Sequence, residues 1–147
     1  YLSEMDKCFE QGLLKKTEKS KTFALSDIKQ AEFFLNESFD LLNLKKREMS
    51  AIALYNAVFH ASRALLFLNG VKEKSHYCLQ KYLEEIFVKS GVLSDEDLSL
   101  FDLLRGLRQE VQYNVVKVEF EEDLDSLYNK AEDFIGKIKK FVNAKSK

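Results

Sequence analysis

The chain contains no proline in its 147 residues, and this absence restricts its fold more than any other feature of the sequence. An all-β fold needs frequent turn residues, and glycine, the other main turn former, occurs only five times. Long helices joined by short loops tolerate such a composition. With 46% hydrophobic and 32% charged residues, the chain is expected to be globular and not disordered.

Hydrophobic periodicity predicts five or six helices that account for almost every residue. The predicted N-cap residues are Ser3, Ser26, Ser75 and Ser94. Residues 48–69 are apolar on nearly all sides, which predicts a central helix that ends at Gly70. The predicted fold class is all-α: an up-and-down antiparallel four- or five-helix bundle with an additional N-terminal helix.

The length suits a single domain over residues 1–147. Residues 1–24 are expected to hold the N-terminal helix and a polar linker at 15–22, and residues 25–145 the bundle. The fifth helix should end near Tyr113 and the last should begin near residue 121. The loop between them, residues 114–120, has a β-branched run that favours an extended segment.

The formal net charge of −1 argues against polyanion binding driven by overall charge. Lysine and arginine nevertheless cluster locally, at Lys15, Lys16, Lys19 and Lys21, at residues 45–47, and at Lys137, Lys139 and Lys140. These clusters are interpreted as solvated helix surface, with a local phosphate or nucleic-acid patch as the alternative.

Cys8 and Cys78 lie far apart and have no metal-ligand spacing. We therefore expect neither a disulfide framework nor a zinc site, no metal and no cofactor, and a reducing cytoplasm as the location. No uninterrupted apolar run approaches the ~20 residues that span a bilayer, and the acidic N-terminus does not resemble an export signal. A membrane is therefore not among the expected partners.

The central helix carries three polar residues along one stripe. At about 100° per residue, Asn56, His60 and Arg63 lie within roughly 60° of one another. Arginine is rarely buried without a partner, so Arg63 should meet a carboxylate of this chain, a partner chain or a ligand phosphate. The alternative interpretation is that the three side chains satisfy one another and nearby backbone or acidic groups.

The fifth helix carries a second polar stripe beside its leucine-rich core face. Arg105, Gln109 and Gln112 are placed opposite that face, whereas Arg108 and Tyr113 lie at its borders. A border arginine can aim its guanidinium fork at phosphate oxygens; surface salt bridges are the alternative. His76, which follows Ser75, is a candidate for a small phosphate site or an exposed first-turn residue.

Four segments together resemble the HEPN family of small prokaryotic helical domains. They are residues 55–66 (YNAVFHASRALL), 70–76 (GVKEKSH), 107–113 (LRQEVQY) and 131–135 (AEDFI). The likeness extends from about residue 26 to 141. It implies a helical bundle that commonly forms a homodimer, and a frequent association with a small nucleotidyltransferase that serves as antitoxin. Many members are ribonucleases or toxins.

Ribonuclease members of that family carry an arginine and, after four to six residues, a histidine on the helix that corresponds to the fifth helix here. Arg108 matches the arginine, but no histidine follows it in this chain. Tyr113 stands near the missing position, and its ordinary pKa near 10 makes it a poor general base at neutral pH. His60 would replace the histidine if the third and fifth helices packed side by side.

The expected function is binding of nucleotide or RNA phosphate, or partnership with a nucleotidyltransferase, within a toxin–antitoxin module. The candidate ligand-binding residues are Asn56, Arg63, Arg105, Gln109, Gln112 and His76. The first alternative is an active metal-independent endoribonuclease toxin that uses Arg108, His60 and Tyr113. The second is a purely structural or dimerisation protein.

Overall fold

A computed structural model describes residues 1–113 and 123–146 of the chain. The elements are α1 (Glu4–Glu10), β1 (Leu14–Lys16), α2 (Lys21–Asn43), α3 (Arg47–Asn69), β2 (Val71–Glu73), α4 (His76–Tyr82), α5 (Asp95–Tyr113) and α6 (Leu124–Asn143). A π-helical stretch, Leu83–Val88, continues α4. The predicted all-α bundle with an additional N-terminal helix is confirmed, and residues 114–122, which include the predicted extended loop, lie outside the described residues.

Helix α3 occupies the centre of the bundle, where it packs against α2, α5 and α6. Its alanines let α2 approach closely, and Ser38 of α2 and Ser50 of α3 exchange hydrogen bonds in the buried contact. Among the described residues, α3 alone has the length and apolar composition of a membrane span, but 67% of its most apolar window is buried inside the bundle. A core helix of a globular domain has the same properties.

Most of the predicted helix ends are confirmed. Ser3, Ser75 and Ser94 each accept a hydrogen bond from the backbone N–H three residues later, and Gly70 ends α3 with a left-handed φ of 71°. The prediction for Ser26 is wrong. Helix α2 begins at Lys21 behind Ser20, whose hydroxyl accepts the N–H of Phe23, because the apolar periodicity already starts at the buried Ala24.

The predicted linker at residues 15–22 is also wrong, because residues 14–16 form a strand. β1 pairs with β2 in an antiparallel ladder that places Leu14 opposite Glu73, Lys15 opposite Lys72 and Lys16 opposite Val71. The strand was hidden by its polar composition: Leu14 is its single buried side chain. The N-terminal segment is therefore tied to the strand that follows α3, and α2 begins before the predicted bundle boundary at residue 25.

The expectation that the cysteines stay apart is wrong. Cys8 of α1 and Cys78 of α4 form a disulfide with a Cα–Cα distance of 5.8 Å. Spacing rules detect cysteines that are close together in the sequence, whereas the fold brings this pair together across 70 residues. The disulfide removes the cysteine-based argument for a reducing compartment.

Candidate functional site

The polar stripe of α3 meets a buried carboxylate of α2. Arg63 donates from Nε to Asp27 Oδ2 and from Nη2 to Asp27 Oδ1, each at 2.9 Å, and His60 Nδ1 lies 3.0 Å from Asp27 Oδ1. We call these three residues the Asp27 cluster. The fork-to-fork geometry is the strong form of an arginine–carboxylate pair. Of the three partners foreseen for Arg63, the structure provides a carboxylate of the chain itself.

Charge in the Asp27 cluster is balanced internally. Burial alone would raise the pKa of Asp27, but the hydrogen bonds from His60 and Arg63 and the Arg63 charge lower it below the ordinary value. The carboxylate is therefore ionised and accepts a hydrogen, so the Nδ1 of a neutral His60 carries the proton and Nε2 holds the lone pair. His60 is held in place by its bond to Asp27 and by the parallel ring of Phe34, 5.4 Å away.

The second candidate region lies on the other side of Phe59, whose ring contacts His60, at 5.6 Å between centroids, and also His76, at 4.3 Å. Here the Tyr55 hydroxyl lies 2.6 Å from His76 Nδ1, and the Arg108 guanidinium stands 5.5 Å from the centre of the Tyr55 ring. We call Tyr55, His76 and Arg108 the Arg108 site. It joins α3, α4 and α5, and it is the place where three helices bring polar groups together.

The protonation of His76 follows from its neighbours. Burial, and then the charges of Arg108, Arg105 and Arg63, lower its pKa, so the imidazole is neutral at pH 7. Burial also raises the pKa of Tyr55, which keeps the phenol protonated. Because the fully buried Tyr55 hydroxyl contacts no other acceptor in the described part of the chain, it donates to Nδ1, and the His76 proton sits on Nε2. His76 thus offers an uncharged N–H.

The two arginines of α5 differ in their partners. Arg105 lies 3.4 Å from Asp102, yet its buried Nε has no partner. Arg105 is half-buried and therefore does not lie on a fully exposed face opposite the core, where the sequence pattern placed it. Arg108 forms no ion pair or hydrogen bond with any residue in 1–113 or 123–146; only the Tyr55 ring contacts its guanidinium. Its charge is available to an anion.

The remaining predicted residues are not part of either cluster. Gln109 and Gln112 are exposed on α5, and Tyr113 at its end is 73% exposed. Asn56 is half-buried on α3, one turn before His60, but it does not share the hydrogen bonds of the Asp27 cluster. Helices α3 and α5 do pack together, although Arg108 meets Tyr55 there and not His60.

Sequence reasoning missed Asp27 and Tyr55. Asp27 is in phase with the buried Ala24, Ala31 and Leu35 of α2, and an acidic residue on an apolar face was a usable signal. Tyr55 looked like ordinary core, and its role depends on a contact with His76 that spacing does not reveal. Glu73 of β2 is a second acidic neighbour of Arg63: burial raises the pKa of Glu73, and the nearby charge of Arg63 opposes that rise.

No group of three or more histidine, cysteine, aspartate or glutamate side chains is arranged to hold a metal ion within residues 1–113 and 123–146. The side chains of the Asp27 cluster and the Arg108 site are those of aspartate, histidine, arginine and tyrosine. Arginine can pair with an anion, and a neutral imidazole can donate a hydrogen bond without adding charge. Both properties suit a phosphate group.

Three relatives align with the greater part of this chain. "Putative toxin MJ0142" of Methanocaldococcus jannaschii is 26% identical over 122 residues, 81% of either chain. "Putative toxin MJ0605" of the same organism is 28% identical over 130 residues, 88% of this chain and 95% of the relative. A UPF0332 protein of Archaeoglobus fulgidus is 31% identical over 121 residues, 79% of this chain and 92% of the relative.

The sequence model of the HEPN domain matches residues 26–141, which contain the Asp27 cluster, the Arg108 site and most of the length of the four long helices. This match extends over far more than half of the chain and agrees with the helical bundle and with the relatives named as toxins. The resemblance seen in the sequence is thereby confirmed, and the chain belongs to the HEPN domain family.

Proposed function

We propose that this HEPN domain binds the phosphate of a nucleotide or RNA at the Arg108 site. The observation that carries the proposal is the half-buried Arg108, whose guanidinium lacks an acidic partner among the described residues and lies close enough to His76 for its charge to lower the pKa of that imidazole. A bidentate phosphate would supply the missing counter-charge. The neutral His76 imidazole would donate a hydrogen bond from Nε2 to the same phosphate and would keep its proton.

The protonation of His76 favours binding over catalysis at this site. A general base for RNA cleavage needs a free lone pair that faces the 2′-hydroxyl. At His76 the Tyr55 hydroxyl occupies the lone pair of Nδ1, and Nε2 carries the proton. This arrangement suits a hydrogen-bond donor to a bound anion.

The test is equilibrium binding of AMP and of a labelled single-stranded RNA to the wild type, Arg108→Ala and Arg108→Lys. Loss of a charged, bidentate contact of about 1.5–3 kcal/mol should weaken binding by roughly 10- to 150-fold in Arg108→Ala. Arg108→Lys should recover only part of the affinity, because an ammonium lacks the guanidinium fork. Lys140→Ala, which removes one exposed positive charge from α6, is the control. Equal affinity of wild type and Arg108→Ala would rule out this site.

A metal-independent endoribonuclease toxin is the second candidate, and the Asp27–His60 pair favours it. Asp27 fixes the His60 tautomer so that Nε2 is the acceptor nitrogen, which is the arrangement of a histidine base with its orienting carboxylate. Growth arrest on expression and RNA cleavage that His60→Gln abolishes would support this candidate. Intact RNA after incubation with the wild type would exclude it.

The proposal extends to partners. A homodimer and a small nucleotidyltransferase partner in a toxin–antitoxin module are implied by the family, and a cytoplasmic location goes with an RNA ligand. Sedimentation of the purified chain measures whether it forms a homodimer. Co-purification with a nucleotidyltransferase encoded beside it tests that partnership. Two relatives named as toxins support the toxin context for this chain.

A further inference from the structure

The two-stranded sheet of β1 and β2 presents a face made of lysines. Lys15 lies directly opposite Lys72, and Lys74 continues the same face two residues further along the chain. The other face holds the buried Leu14 and Val71. Like charges in directly opposed positions destabilise an antiparallel pair, so this pairing costs the isolated molecule stability. We call Lys15, Lys72 and Lys74 the lysine ribbon.

No carboxylate pairs with the lysine ribbon among the described residues, although several other lysines of the chain have acidic partners. Lys81 pairs with Glu84, and Lys139 with Glu32. All three ribbon lysines are exposed. The proximity of Lys15, and then of Lys72, lowers the pKa of the Lys74 ammonium, which shows how closely the positive charges are held.

The lysine ribbon runs directly into the Arg108 site. β2 ends at Glu73, and Lys74 and Ser75 lead into His76 at the start of α4. Alternate residues of a strand are about 7 Å apart, so Lys72 and Lys74 are spaced like successive phosphates of an extended nucleotide strand. β1 lies outside residues 26–141, so Lys15 belongs to a part of the chain that the family model does not match.

We propose that the lysine ribbon binds the phosphodiester backbone of an RNA strand whose neighbouring phosphate occupies the Arg108 site. This inference rests on the proposed function and narrows its ligand from a nucleotide to a polynucleotide. Lysines serve here as point charges along the backbone and carry no base specificity. A mononucleotide has one phosphate group, and with that group at the Arg108 site it offers no second phosphate to the lysine ribbon.

The experiment measures the affinity of a labelled 12-nucleotide RNA, the same DNA sequence, AMP and anionic phospholipid vesicles at several salt concentrations. The test variant carries Lys15→Gln, Lys72→Gln and Lys74→Gln. The matched control carries Lys29→Gln, Lys130→Gln and Lys140→Gln, which remove three exposed charges elsewhere. The loss of three backbone contacts should weaken RNA binding about tenfold or more and reduce the slope of log affinity against log salt by about 2. Circular dichroism verifies the fold of both variants.

The outcomes separate the ribbon from the Arg108 site. The ribbon variant should keep the AMP affinity of the wild type, whereas Arg108→Ala should lose it. If Arg108→Ala binds AMP normally while the ribbon variant binds RNA more weakly, phosphate binding at the Arg108 site is wrong, and RNA binding by the lysine ribbon is supported. If the RNA affinity falls equally in the ribbon and control variants, or falls in neither, the lysine ribbon does not bind RNA. Binding to vesicles but not to RNA would overturn the proposal as well. Equal loss of DNA binding would show that the backbone alone is recognised.

Discussion

At the scale of single residues, the molecule separates two arginines that look alike in sequence. Arg63 is satisfied by Asp27, whereas Arg108 has only an aromatic ring beside its guanidinium within residues 1–113 and 123–146. The charge of an arginine that is paired with a carboxylate is neutralised within the fold, whereas an arginine without such a partner has charge left for a ligand. The same residue type therefore serves two purposes on neighbouring helices.

Asp27→Asn tests the structural role of the first arginine. The substitution leaves Arg63 with a weaker acceptor, and because the Arg63 side chain is 32% exposed and can hydrate, we expect a loss of about 2 kcal/mol, below the roughly 3–5 kcal/mol of a fully buried pair. Urea denaturation at pH 7 measures this loss. Asp133→Asn, an exposed position on α6, is the control and should change the free energy of unfolding little.

The pH dependence of the same variant has a definite sign. The folded-state pKa of Asp27 lies below its unfolded value of 3.8, so its contribution is present above about pH 4 and is lost as pH falls through the folded pKa. The wild type should therefore lose its advantage over Asp27→Asn on acidification. A difference between the two proteins that stays constant from pH 7 to pH 2 would contradict the ionised Asp27.

At the scale of elements, the end of α3 carries a close contact that depends on glycine. Gly70 has a φ of 71°, and a Cβ there would stand 2.6 Å from the carbonyl oxygen of Thr17, which follows β1. In addition, the backbone carbonyl of Gly70 accepts a hydrogen bond from the N–H of Thr17 at 2.8 Å. Helix termination and the attachment of the N-terminal strand thus meet at one residue.

Gly70→Ala should therefore lower the free energy of unfolding by more than the strain of a left-handed alanine alone would. Gly91 is the internal control, because its φ of 84° is similar and nothing lies within 4 Å of its Cβ position. Gly91→Ala should lose about 1–2 kcal/mol for the backbone, and Gly70→Ala a further amount of about 1–3 kcal/mol for the clash. Urea denaturation of both variants measures the difference. Equal losses would mean that β1 moves aside without cost.

At the scale of the whole molecule, the sequence predicted what local patterning controls. The bounds of α3 and α5, the stop at Gly70 and three of four N-caps follow from periodicity and cap chemistry, which act within a few residues. The β1–β2 ladder, the Cys8–Cys78 disulfide and the Asp27–Arg63 pair join distant segments, and no local pattern encodes them. The candidate residues follow the same division: the sequence singled out Arg108 and His76 separately, but it did not predict that Tyr55 lies between them in contact with both.

Those long-range links make the N-terminal segment conditional on the disulfide. Residues 1–19 are held by one disulfide, a short strand ladder with the Thr17–Gly70 backbone hydrogen bond beside it, and the buried side chain of Leu14, whereas α3 is enclosed by three helices. In a chain-entropy estimate, a cross-link over 70 residues stabilises the fold by up to about 4 kcal/mol. Its removal should lower global stability and, beyond that, let the N-terminal segment open by itself.

Hydrogen exchange with and without a reductant tests this division. In the reduced protein, the amides of α3 should remain the slowest to exchange, since they open only in global unfolding, while the β1–β2 amides should exchange by faster local opening. The Cys8→Ser, Cys78→Ser double variant should reproduce the reduced pattern and show no further response to reductant. If reduction accelerates α3 and β1 by the same factor and leaves their ratio unchanged, the segment does not open independently, and the disulfide acts on the molecule as one cooperative unit.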